Sequence, residues 1–109
     1  MYKLGFYVPP AYLETVKSAL FAAGAGRIGN YDSCVWQCLG LGQFRPLVDS
    51  QPYLGQTGFV ETVAEYRVEL VCEDNLLHAV VAALINTHPY EEPAFDVVKL
   101  VDVNALVGK

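Results

Sequence analysis

Basic residues are scarce in this 109-residue chain: seven Lys and Arg stand against twelve Asp and Glu, a formal net charge of −5. Holding a DNA or RNA backbone needs clustered Lys and Arg, and these seven are scattered, so a nucleic-acid partner is excluded. Long apolar runs are also lacking. No stretch of about 18 apolar residues occurs, and Met1-Tyr2-Lys3 enters alternating sequence directly. Neither a membrane span nor a signal peptide is expected, and the expected location is the cytoplasm. Cysteines number only three, an odd count that fits a reducing compartment better than a disulfide framework. With Cys34 and Cys38 four residues apart on one strand, a rise of roughly 3.3 Å per residue separates them by about 13 Å. That is too far for a disulfide or for a shared ion. Cys34, Cys38 and Cys72 are expected on core faces as small buried apolar residues.

What the chain does have is a mildly apolar composition, 53% hydrophobic and 17% charged. Its length fits a single domain over 1–109, and its apolar content predicts a homo-oligomer that covers part of its surface with copies of itself.

Hydrophobic periodicity orders the chain. Tyr2, Leu4, Phe6 and Val8 alternate with Lys3, Gly5 and Tyr7, the period of a half-buried strand. Pro9-Pro10 end it and open a helix over about 10–23, with Leu13, Val16, Leu20 and Ala23 at helical spacing and Gly24 as its stop. Gly24-Ala25-Gly26-Arg27-Ile28-Gly29 matches the G-x-G-x-x-G string of dinucleotide-binding folds. Here a helix runs into the glycines and a strand follows, so no helix N-terminus faces a pyrophosphate; the string reads instead as a glycine-rich turn. A second strand is expected over Ser33 to Phe44, with Cys34, Trp36 and Cys38 on one face and glycines 40 and 42 marking a bulge or close crossing. Residues of about 45–60 form a long connection between halves. A third strand over Thr62 to Cys72 puts Tyr66, Val68, Leu70 and Cys72 on the core face and Glu65, Arg67 and Glu69 opposite. Glu73 or Asp74 caps a second helix whose buried stripe is Leu77, Val80, Val81 and Leu84. A fourth strand over Phe95 to Val103 precedes a frayed tail.

Strand, helix, strand, link, strand, helix, strand is the α+β ferredoxin-like βαββαβ sandwich, an antiparallel sheet with two helices on one face. The other face, carrying Lys3, Tyr7, Glu65, Arg67 and Glu69, meets either water or an ion-pair lattice at a subunit interface.

Between the second helix and the fourth strand lies His88-Pro89-Tyr90-Glu91-Glu92-Pro93, one imidazole and two carboxylates in six residues. Two prolines stiffen it into an irregular connector. His88 offers a ring nitrogen and Glu91 or Glu92 a carboxylate oxygen, a set suited to a divalent ion such as zinc or copper. Adjacent glutamates in extended backbone point to opposite sides, so water or a second subunit would complete the shell. Two other readings stand beside this one. In the first, His88 bonds carbonyls at the helix end, Tyr90 packs, and the glutamates hold the glycine turn or Arg27. In the second, His88 and Glu91 form a base and its orienter, although no nucleophile or cofactor fingerprint lies beside them.

Three separated motifs in order carry a resemblance over essentially the whole chain: Gly24-Ala25-Gly26-Arg27-Ile28-Gly29-Asn30-Tyr31, Gly40-Leu41-Gly42-Gln43-Phe44-Arg45-Pro46, and His88-Pro89-Tyr90-Glu91-Glu92-Pro93-Ala94-Phe95-Asp96. The chain resembles the CutA-like, PII-like domain of the Nif-three-like family, also called NGG-one-interacting factor three, whose small members are called YqfO-like. In long members this domain is an insert in a larger α/β body, and that body holds a di-metal site rich in histidine. This chain has only His78 and His88. The resemblance therefore implies a trimer that binds metal ions or small effectors in clefts between subunits, without the hydrolase chemistry of the larger body. The expected function is a small oligomeric metal- or small-ligand-binding regulatory module, not an enzyme. The alternative is a metal-free interaction module that docks on a larger protein.

Overall fold

The computed structural model describes residues 1–108. Strand β1 (Tyr2–Val8) is followed by a 3-10 turn at Pro10–Tyr12 and helix α1 (Leu13–Ala22). Strands β2 (Trp36–Phe44) and β3 (Glu61–Cys72) come next, then a second 3-10 turn at Asp74–Leu76 and helix α2 (Leu77–Thr87). Strand β4 (Phe95–Lys99) and a short helix α3 (Val103–Leu106) complete the order. The sheet order is β2-β3-β1-β4 and every pairing is antiparallel, the ferredoxin-like arrangement expected from the sequence.

The core forms where period-two strands meet period-3.6 helices. Leu4, Phe6 and Val8 of β1 and Val68, Leu70 and Cys72 of β3 face Val16 and Leu20 of α1 and Val80 and Leu84 of α2, all of them buried. Helix α1 stops where its glycine makes stopping easy. Gly24 has φ +103°, its N–H donates to the Phe21 carbonyl, and the next N–H, of Ala25, donates to Leu20. That double reverse bond satisfies carbonyls the helix leaves open. Neither Glu73 nor Asp74 caps the second helix through its side chain as the sequence led one to expect. The 3-10 turn intervenes, and the Leu76 N–H finds the Glu73 carbonyl instead.

β2 departs most from expectation. It begins at Trp36, so Cys34 lies ahead of it, and seven of its nine residues are exposed. The helices cover the two central strands, whereas β2 is an edge strand that pairs only with β3. Residues 61–65 of β3 likewise pair with β2 and not with β1. The two strands thus run out beyond the core as a two-stranded arm, in a molecule 54 Å long and 24 Å across. Cys38 is accordingly exposed and Cys34 half-buried; of the three free thiols only Cys72 is in the core. Alternation along β2 is genuine, but neither of its faces is covered.

Candidate functional site

The connector after α2 is fixed by its histidine. Pro89 disfavours helical backbone at the residue before it, and His88 accordingly turns extended at φ −72°, ψ 137°. Its N–H still donates to the Leu84 carbonyl, closing the helix. The imidazole is buried, 7% exposed, and both ring nitrogens are in use. Nε2 lies 2.6 Å from the Tyr7 carbonyl and Nδ1 lies 3.1 Å from the Tyr90 backbone N–H. Only one tautomer serves both contacts: Nε2–H donates to Tyr7 and the Nδ1 lone pair accepts from Tyr90. Burial holds the imidazole pKa below its ordinary value of 6.5, against the opposing pull of the Tyr7 carbonyl and the Glu65 charge. His88 is thus a neutral clamp that ties the connector to the end of β1.

Tyr90, held by that clamp, faces the arm. Its ring lies 4.8 Å from His88, 6.1 Å from Tyr53 and 6.3 Å from Phe44, centroid to centroid. Its hydroxyl donates to Glu65 Oε2 at 3.0 Å. Burial and the Glu65 charge both raise the phenol pKa, so Tyr90 remains a protonated donor. Glu65 has room there because β2 carries glycine beside it: Gly40 is its register partner, and a Cβ on Gly42 would collide with the Glu65 carboxylate.

The 45–60 connection, which carries no strand or helix, folds back over this cluster. Tyr53 packs edge-on against Tyr12 at 5.7 Å, the Gln51 N–H donates to Glu91 Oε1 at 3.1 Å, and the Gly58 N–H donates to the Pro46 carbonyl at 2.7 Å. The result is a cavity of about 260 Å³ between connector, arm and fold-back loop. Tyr7, Phe44, Tyr53 and Tyr90 are its aromatic lining, and Glu65, Glu91 and Glu92 also line it.

The structure places the three sequence-expected metal ligands around this feature without assembling them into a ligand set. Neither His88 ring nitrogen has a lone pair free for an ion, since one carries the proton given to Tyr7 and the other accepts from Tyr90. Glu91 accepts from Gln51, and Glu92 is exposed at the cavity edge. Among the described residues no three His, Cys, Asp or Glu side chains converge as a metal centre. The donor set as it stands does not fit zinc or copper. The reading in which His88 serves the fold is the one its contacts match, with the acceptor being the β1 carbonyl rather than one at the helix end.

The glycine-rich turn is at the other pole of the sheet. Its Gly26 N–H donates to the Val71 carbonyl, beside the start of β1, whereas the connector meets Tyr7 near the end of β1. Arg27 and the motif glutamates are therefore not partners. His78 is exposed on α2. Sequence reasoning passed over Phe44, Tyr53 and Glu65 as site residues. The available signal was a glutamate on the open sheet face beside two glycines of one strand, the pattern left when a carboxylate lies across a neighbour's backbone.

Next to the cavity, the open sheet face carries ion pairs formed within the chain. Arg67 reaches across β1 to Asp96 on β4, with Nη1–Oδ1 at 2.8 Å and Nη2–Oδ2 at 3.2 Å. It also contacts Glu69 and stacks 5.0 Å over the Tyr7 ring. Gly5 makes the crossing possible, because a Cβ there would collide with the guanidinium. Arg67 in turn holds the Asp96 carboxyl below the usual carboxylate range. No helix among the described residues is long and apolar enough to cross a membrane.

No protein-family profile matches the chain. It is 40% identical over 108 residues to a protein of Halalkalibacterium halodurans named GTP cyclohydrolase 1 type 2 homolog, covering 99% of this chain and 29% of that one. A Mycobacterium leprae protein of the same name is 46% identical over 102 residues, covering 94% and 26%. The chain thus spans under a third of the length of these relatives. Among solved structures, a Bacillus cereus protein related to NIF3 superposes with a TM-score of 0.77 at 38% identity, over 93% of this chain and 26% of that one. The PII-like protein CutA of Nostoc superposes with a TM-score of 0.66 at 19% identity over 96% and 85%, a likeness of fold alone.

Proposed function

This chain is a CutA-like, PII-like domain of the Nif-three-like family, and from that premise we propose that it is a binding and regulatory module for a small organic ligand. The ligand occupies the cavity between the His88–Pro93 connector and the fold-back loop. The observation that carries this is the cavity itself, four aromatic residues and three carboxylates gathered from β1, the arm, the loop and the connector around about 260 Å³. A few polar groups converging on an apolar hollow is the usual make-up of a small-molecule site. A divalent ion is the less favoured cargo, because His88 is already committed on both nitrogens.

The module works by occupancy and not by catalysis. The GTP cyclohydrolase chemistry is in the names of the longer relatives and is said of those proteins, of whose length this chain spans about a quarter. Assembly with copies of itself goes through the β2 arm, whose edge leaves backbone donors and acceptors unpaired and whose Leu39 and Leu41 are 56% and 82% exposed. An exposed apolar edge is a template for pairing with another strand.

Amide 1H–15N spectra of the labelled protein, collected with a set of small aromatic fragments, test the site. Shifts should concentrate in residues 43–54 and 88–94. Shifts confined to the β2 edge and its neighbours, or none at all, would overturn the reading in favour of a protein-docking module. Native mass spectrometry before and after chelator reports subunit number and bound metal together; an oligomer whose mass is unchanged by chelator is expected.

A further inference from the structure

Resting on the cavity reading above, we infer that the ligand is a small organic cation, an aromatic or alkyl ammonium or guanidinium, held between the rings of Phe44, Tyr53 and Tyr90 and the carboxylates of Glu65, Glu91 and Glu92. Two independent observations carry this. The first is charge. The cavity is lined by three carboxylates and, among the described residues, by no Lys, Arg or His. None of the three glutamates takes part in any ion pair among the described residues. Elsewhere this chain pairs its acids when it brings a base near, as Arg67 does with Asp96 and Glu69. Three carboxylates left without a counter-cation around one hollow make a field that repels anions and attracts a positive guest.

The second observation is the walls. The faces of aromatic rings carry negative charge density, and a cation within about 6 Å of a ring centroid is attracted to it. Four aromatic residues line the cavity, Tyr7, Phe44, Tyr53 and Tyr90, and Tyr90 packs against Tyr53 and Phe44 at 6.1 and 6.3 Å between centroids. Tyr90 also donates its proton to Glu65 Oε2, which orients that carboxylate. The chain already shows the chemistry on the adjoining face, where the Arg67 guanidinium sits 5.0 Å over the Tyr7 ring while bonded to a carboxylate. A nucleoside triphosphate, which the names of the longer relatives bring to mind, is the opposite in charge and finds no basic residue here.

Three probes of similar size separate the possibilities by calorimetry at low salt: benzyltrimethylammonium, benzyl alcohol and benzoate. Benzyltrimethylammonium is expected to bind at least about tenfold more tightly than benzyl alcohol, a margin equal to 1.4 kcal/mol, and benzoate not at all. Raising the salt should weaken only the cation. Glu65→Gln keeps an acceptor for Tyr90, and Glu92→Gln touches an exposed residue with no bonding role in the fold. Glu65→Gln is expected to weaken the cation about tenfold and the exposed Glu92→Gln about threefold, each by a larger factor than it changes benzyl alcohol. Should Glu65→Gln fail to fold, Glu92→Gln carries the test alone. Equal binding of cation and alcohol, or preference for benzoate, overturns the charge assignment while leaving a ligand cavity in place. Failure of all three probes to bind overturns the cavity reading with it.

Discussion

Replacing His88 by alanine removes the clamp between β1 and the connector, and the cost follows from what is stranded. The Tyr7 carbonyl loses its donor and the Tyr90 N–H its acceptor, each a group whose burial without a partner costs about 1–3 kcal/mol. Water entering from the cavity relieves part of this, while loss of the ring against Tyr90 adds packing, so about 3 kcal/mol in total is the expected destabilisation. In a domain of this size that corresponds to a drop in Tm of about 12–24 °C. Urea and thermal unfolding at one fixed protein concentration measure it. His88→Gln keeps a donor for Tyr7 and should fall between the two. The neutral state of His88 adds a pH signature. Its folded pKa is below the unfolded value of 6.5, so the unfolded chain takes up the proton first. His88's contribution is therefore complete above about pH 6.5 and declines as pH falls from there toward the lowered folded value. The decline should vanish in His88→Gln. A loss below about 1 kcal/mol for His88→Ala, with zinc binding present in the parent and gone in the variant, would refute the clamp and restore the metal reading.

Gly24→Ala places a Cβ 2.7 Å from Leu76 Cδ1 at φ +103° and should cost about 1–2 kcal/mol by urea unfolding, since only glycine is at ease in that conformation. Gly5→Ala should push the Arg67 guanidinium off its path to Asp96. The Asp96 carboxyl, now held low by Arg67, should then titrate higher when followed by carboxyl NMR, and the acid-side loss of stability tied to its depressed pKa should shrink. Leu41→Lys on the arm, at a position 82% exposed, should reduce subunit number in sedimentation without lowering the helix signal of the remaining species.

Much of this architecture is legible in the residues. Leu4, Phe6 and Val8 announce β1 by alternation, and Leu20 and Gly24 announce the end of α1, because both signals are local and the contacts they imply are the ones the fold makes. β2 is different. Cys34, Trp36 and Cys38 alternate as a buried strand would, yet alternation says how side chains point and not whether anything covers them. The connector divides in the same way. Its residue types drew notice to His88, Glu91 and Glu92, but the partner that decides the imidazole's role is a carbonyl 81 residues away. Tyr53 comes to the cavity beside Glu65 only because the 45–60 loop folds back, and that rests on contacts with Tyr12 and Glu91 that no periodicity encodes.

The most direct measurement is a crystal structure of the protein grown with both benzyltrimethylammonium and zinc. The ammonium should lie between Phe44, Tyr53 and Tyr90, within about 6 Å of a ring centroid, with His88 still bonded to Tyr7 and Tyr90. An empty cavity with zinc bound through His88 would contradict it.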